Sequence, residues 1–143
     1  YMEKERARAL EMSYPSPIQP DKNATDRDYN AALTFMMEHI DRFSICAGSH
    51  NESSAALLIQ LMEEKKIPKN DQRVYFSQLL GMSDHISFNL SHAGYNVAKY
   101  VPYGPVKDVL PYLIRRADEN TSVAGQTSRE LSLLNKERTR RKK

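Results

Sequence analysis

Val97-Ala-Lys-Tyr-Val-Pro-Tyr-Gly-Pro-Val-Lys-Asp-Val-Leu-Pro-Tyr-Leu-Ile-Arg-Arg-Ala-Asp-Glu-Asn120 contains a strand, a turn and a helix in that order. Val97 to Val101 is a β-favouring run, and Pro102, Gly104 and Pro105 break it, because proline lacks a ladder donor and glycine weakens a strand. Pro105 suits the start of a helix, where an N–H has no intrahelical acceptor. The helix is expected from Val106 to about Asn120, with Val106, Val109, Leu110, Leu113 and Ala117 as its core stripe.

The same order recurs upstream. Phe43 to Ala47 reads as a strand ended by Gly48, and Asn51 as the cap of a helix that buries Ala55, Leu58, Ile59 and Met62. Pro68, Asn70 and Asp71 close that unit. Val74 to Phe76 is the next strand, followed by a turn at Gly81 and a helix from about Ser83 to Ala93 that Gly94 terminates. Ahead of these, Met2 to Met12 reads as a short helix and Tyr14 to Pro20 as a loop. Thr25 is expected to cap a helix from Asp26 to Ile40 whose Tyr29, Leu33, Met36, Met37 and Ile40 share one stripe.

Strands alternating with helices predict a parallel α/β architecture. Each repeat has about the length of one unit of a (β/α)8 TIM-like barrel, and a whole barrel takes about 200 residues or more. The 143 residues here cannot close one, so a partial barrel is expected, as a segment of a larger domain. An open three-stranded sheet is the alternative, with exposed edges and partly covered faces.

Composition narrows the function classes. With 40% hydrophobic and 27% charged residues, the chain is expected to be globular and soluble. No apolar run approaches the roughly 20 residues that cross a bilayer. No basic, apolar targeting stretch opens the chain, and its start at Tyr1 suggests that something upstream is missing. Cys46 has no internal disulfide partner, which favours a reducing compartment, and it is expected to be a small buried residue in its strand. Lys136 to Lys143 carries a net +5 against +3 for the whole chain, which leaves the body at −2. A basic body suited to nucleic acid is therefore not expected, and the tail reads as a solvated terminus.

In parallel α/β folds ligands lie beyond the C-terminal strand ends, here Gly48 to Asn51, Ser77 to Met82 and Tyr100 to Gly104. On the last helix Tyr112, Arg115, Arg116 and Glu119 recur at i, i+3, i+4 and i+7, a stripe beside the apolar one. Two guanidinium groups beside a tyrosine suit a carboxylate or phosphate, since arginine donates in a planar fork. A solvated face with Arg115 and Glu119 paired, worth only a few tenths of a kcal/mol, fits the spacing equally. His50, before a helix N-terminus, reads either as a hydrogen-bonded loop histidine or as a neighbour of a nucleotide cofactor.

Tyr100-Val-Pro-Tyr-Gly-Pro105 and Pro111-Tyr-Leu-Ile-Arg-Arg-Ala-Asp-Glu-Asn-Thr-Ser122 together resemble the signature at the C-terminal end of proline dehydrogenases. The likeness extends through Tyr75-Phe-Ser-Gln-Leu-Leu-Gly-Met82 and Gly48-Ser-His-Asn51 to Tyr1, which resembles the tyrosine closing the family's fifth-strand motif. The resemblance implies that residues 1–128 are the C-terminal βα units of a (β/α)8 flavoenzyme and 129–143 a basic tail. It implies oxidation of L-proline to Δ1-pyrroline-5-carboxylate, with FAD as cofactor and a quinone as electron acceptor.

By the same resemblance, Arg115 and Arg116 bind the substrate carboxylate, Tyr100 and Tyr112 line the proline pocket, and Leu79 packs near the ring. Glu119 lies close to the flavin, and His50 and Asn51 contact it. No catalytic nucleophile and no metal are implied. The family's earlier strands supply a lysine, an aspartate and a further arginine that have no counterpart here, so this chain alone is not expected to turn over proline. A eukaryotic source implies the matrix side of the mitochondrial inner membrane, and a bacterial one the cytoplasm or a peripheral membrane contact.

Two other classes compete. A metal-dependent (β/α)8 hydrolase would use His50, Asp84, His85 and His92, but His85 and His92 are too far apart on one helix for a compact ligand pair. A noncatalytic module would bind anionic partners through the tail, in a salt-sensitive way.

Overall fold

Ile45, Ala47, Val74 and Phe76 supply the centre of a parallel sheet in the computed structural model, which describes residues 2–122, 131, 132, 135, 136 and 138–141. Tyr1, the 128/129 boundary and part of the basic tail lie outside the described residues. The elements run α1 (Met2–Glu11), α2 (Lys22–Glu38), β1 (Ile45–Gly48), α3 (Glu52–Glu64), β2 (Val74–Leu79), α4 (Asp84–His92), β3 (Val97–Tyr100) and α5 (Val106–Ser122). The described strands form one sheet in the order β1-β2-β3, parallel throughout, as the alternation of strands and helices predicts. Contacts divide the chain into two units, Tyr1–Val101 and Pro102–Lys143.

In the first unit, strand alternation separates two faces. Ile45 with Val74, Ala47 with Phe76 and Val97, and Gln78 with Lys99 form rows on the helix-facing side. Leu33 and Met37 of α2, Leu58 and Met62 of α3, and Ile86 and Leu90 of α4 bury themselves with this side, as their 3.6-residue spacing predicts. Phe76 meets Tyr95 edge-on, ring centroids 5.6 Å apart. Gly94, at φ 91°, ends α4 in a conformation that only glycine adopts without strain, and Tyr95 N–H donates to Leu90 O at 3.0 Å.

Three local expectations are corrected. Cys46 lies in its strand but is exposed, because inward Ile45 and Ala47 send the residue between them outward. Strand β2 continues past Phe76 through Ser77, Gln78 and Leu79, which find partners in Ala98, Lys99 and Tyr100. The cap of α2 is Asp21, whose Oδ1 accepts from Ala24 N–H at 2.8 Å, while Thr25 sits inside the helix and donates its hydroxyl to Asp21 O at 3.0 Å. Asp21 wins because an aspartate caps as well as a threonine, and Lys22 and Asp26 then pair across the first turn.

Before β2, the Asp71 carboxylate accepts from Arg73 through Nε at 2.9 Å and Nη2 at 2.7 Å, while Arg73 Nη1 donates to Ile40 O at 3.3 Å. These hydrogen bonds from Arg73 lower the Asp71 pKa from 3.8 to about 2. A depressed carboxyl contributes stability that is complete above the unfolded pKa and is lost as pH falls through the folded one. Thermal melts of wild type and Asp71→Asn are therefore expected to be separated at about pH 6 and to converge between about pH 4 and pH 2. A gap that stayed constant across that window would show that the carboxylate charge is not what matters.

The second unit contains α5. Pro105 O accepts from Asp108 N–H at 2.9 Å and Val109 N–H at 3.1 Å, so proline sits at the helix start as expected. Pro111 lies inside α5 and cannot donate to the carbonyl one turn before it, yet the helix continues. The expected core stripe is corrected among the described side chains: Val106, Leu110 and Leu113 are exposed and Val109 is half-buried, while the Ala117 side chain lies outside the described residues. Periodicity identifies a face suited to burial, not the surface that buries it.

Candidate active site at the strand ends

The three parallel strands finish on the same side, and their last rungs assemble the first unit's candidate residues. Leu79 and Tyr100 are cross-strand partners on the face away from the helices. Two residues below them on the same face, Gly48, Ser77 and Ala98 form a row of small residues. Leu80 N–H donates to Tyr100 O at 3.0 Å and Ser49 N–H to Ser77 O at 3.2 Å, which extends the ladder past the strands.

His50 and Asn51 follow β1. His50 Nδ1 lies 2.9 Å from Ser83 Oγ, a contact that joins the segment after β1 to the segment after β2. Ser83 is buried and holds a left-handed backbone at φ 50°, a strained choice for a residue with a side chain. Asn51 caps α3, its Oδ1 accepting from Ser53 N–H at 2.9 Å. Its side chain also reaches Asp26, whose carboxyl is held below its ordinary range first by Lys22 and then by Asn51.

Sequence reasoning missed two residues here, Gln78 and Lys99. Gln78 Nε2 donates to Ser49 O at 3.3 Å, and its Oε1 accepts from the Ser87 hydroxyl at 2.9 Å. Lys99 Nζ donates to Met82 O and to Asp84 Oδ1, both at 2.8 Å. The available signal was polarity at strand positions whose alternation points toward the helices.

In the second unit, Tyr112 and Arg116 are half-buried on α5, with the guanidinium carbon 5.1 Å from the tyrosine ring centroid. This is a cation–π contact between residues one turn apart, and it orients the planar fork. Arg115 is exposed beside it. Glu119 belongs to α5, but its side chain, and with it the expected Arg115–Glu119 pair, lies outside the described residues. An aromatic-backed guanidinium with a second one adjacent can bind a planar oxyanion.

The metal alternative finds no support. Among the described residues no group of three or more His, Cys, Asp or Glu could hold a metal ion. Three of the four proposed ligands have other partners: His85 Nε2 contacts Glu52 Oε1 at 2.7 Å, Asp84 pairs with Lys99, and His50 with Ser83.

The family model described as proline dehydrogenase matches residues 1–129. The chain belongs to the proline dehydrogenase family. It is 49% identical over 137 residues to proline dehydrogenase 1, mitochondrial, of Homo sapiens, an alignment covering 94% of this chain and 23% of that protein. It is 46% identical over 145 residues to hydroxyproline dehydrogenase of Xenopus laevis, covering 99% of this chain and 31% of that protein. Proline utilization A from Bdellovibrio bacteriovorus, solved after inactivation by N-propargylglycine, superposes with a TM-score of 0.78 at 29% identity over 86% of this chain and 13% of that one. The chain thus spans about a quarter to a third of the length of its curated relatives in the proline dehydrogenase family.

Proposed function

We propose that this chain forms the C-terminal βα units of a (β/α)8 proline dehydrogenase, with residues 1–128 as barrel and 129–143 as a basic tail. The observation that carries this reading is the Tyr112-backed arginine doublet in a chain whose first 129 residues match the family. Arg115 and Arg116 bind the carboxylate of L-proline, Tyr112 and Tyr100 line the pocket, and Leu79 packs against the ring. A small apolar ring with a carboxylate needs a charged clamp at one end and a dry wall elsewhere, and these side chains are of both kinds.

The first unit suits a flavin. On the open face the row Gly48, Ser77 and Ala98 presents little side-chain bulk, and a Cβ added at Gly48 would meet nothing within 4 Å, so a planar ring has room there. His50 and Asn51 would hold the FAD, with Glu119 close to it. FAD, when bound, supplies the acceptor for the hydride leaving proline, and a quinone takes the electrons onward. The chain's own residues orient the substrate and exclude water.

The names of the human, worm and bovine relatives favour a mitochondrial location; we place the protein there on the matrix side of the inner membrane with peripheral contact, which those names do not specify. No described helix is long and apolar enough to cross a membrane.

The test uses the complete protein carrying this chain. Anaerobic addition of L-proline is expected to bleach the flavin absorbance, and a soluble quinone to restore it. A parallel arm with 4-hydroxyproline separates the two activities named among the relatives. Bleaching by hydroxyproline alone would move the substrate assignment, and bleaching by neither would end it.

A further inference from the structure

The helix-facing end of a strand is ordinarily apolar, and Lys99 on β3 breaks that rule. Its side chain is only 21% exposed, and its ammonium donates to Leu79 O at 3.4 Å, Met82 O at 2.8 Å and Asp84 Oδ1 at 2.8 Å. An ammonium has three donors, and all three go to one segment, the connection from β2 to α4. A lysine serving only as a surface charge would need the carboxylate alone, and exposed pairs of that kind contribute little. Two of these contacts are to backbone carbonyls, so what Lys99 holds is the path of the chain.

That path has functional residues at both ends. Leu79 stands at its start, level with Tyr100, the residue next to Lys99. Ser83 stands at its end, strained at φ 50° and 2.9 Å from His50 Nδ1. A strained residue persists only where its surroundings over-determine it.

We propose that Lys99 is a positioning residue of the proline site: by bracing the connection from Leu79 to Asp84 it sets the Leu79–Tyr100 wall and the Ser83–His50 contact together. The role rests on the proline-oxidation reading above. It has no part in the chemical step, since the ammonium is directed at the protein's own carbonyls.

The test is Lys99→Met in the complete, flavin-loaded protein, with kinetic constants normalised to bound flavin. A side chain that keeps most of the length but loses the donors lets the wall shift, and misplacement of about 1 Å at a reacting site costs up to about a hundredfold. The expected result is a proline KM raised about tenfold or more, with a smaller change in kcat and flavin still bound. A lower melting temperature with KM unchanged per flavin would mean a merely structural lysine and overturn the proposal. Should Lys99→Met fail to fold, Asp84→Ala removes one acceptor and leaves both carbonyl contacts; KM is then expected to rise about threefold, and an unchanged KM overturns the proposal as well. A wild-type protein that does not oxidise proline refutes the parent reading and the positioning role with it, and it does so before any variant is compared.

Discussion

Replacing Arg115 or Arg116 with methionine in the complete protein is expected to raise the proline KM by about a hundredfold or more while flavin stays bound. Hydrogen bonds to a charged group contribute about 1.5–3 kcal/mol, and each 1.4 kcal/mol is tenfold in affinity, so losing a forked pair of them reaches that scale. Methionine keeps most of the side-chain length and apolar contact, so the change isolates the guanidinium. Arg116 is expected to show the larger effect, because the Tyr112 ring already holds its fork in place. Lysine at either position restores charge without the planar fork and is expected to recover only part of the loss. Steady-state kinetics across proline concentrations, with flavin content from absorbance, decide it: wild-type KM in both methionine variants would remove the carboxylate assignment.

The largest stability effect is expected at Phe76. It is 1% exposed, central to the helix-facing side of the sheet and edge-on to Tyr95. Truncating a buried phenylalanine to alanine costs about 3–5 kcal/mol through lost transfer energy and the cavity left behind. Whole domains are stable by only about 5–15 kcal/mol, so Phe76→Ala should leave a protein that unfolds at much lower urea concentration or accumulates poorly. A loss below about 1 kcal/mol would mean that the neighbouring Leu58, Met62 and Tyr95 collapse fully into the gap.

The helices were legible because their apolar residues recur at helical spacing and their caps and stops are local. Asp21 and Thr25 show the limit of such reading: two good capping residues four apart leave the start of α2 ambiguous, and the choice rests on which turn finds its partners. The end of β2 was hidden for another reason. Ser77-Gln-Leu79 has no marked strand preference, and what makes it a strand is β3, some twenty residues away. The Tyr112–Arg116 contact follows from residues one turn apart on one helix. The braces from Gln78 and Lys99 reach their acceptors only after the chain has folded, so local polarity at inward strand positions could single the residues out but not name their partners. The carboxylate-binding role proposed for the arginines rests on the family resemblance; spacing alone left a solvated face open.

The Gln78–Lys99 rung of β2 and β3 divides the first unit by height. Below it the helix-facing rows are hydrocarbon, Ile45 with Val74 and Ala47 with Phe76 and Val97. From the rung upward polar side chains tether backbone. Natural variation in this part of the protein should therefore sort into two phenotypes, with lesions under the rung lowering how much enzyme a cell keeps and lesions over it lowering what each surviving molecule does. That separation would let the upper loops diversify among relatives without renegotiating the hydrocarbon beneath them.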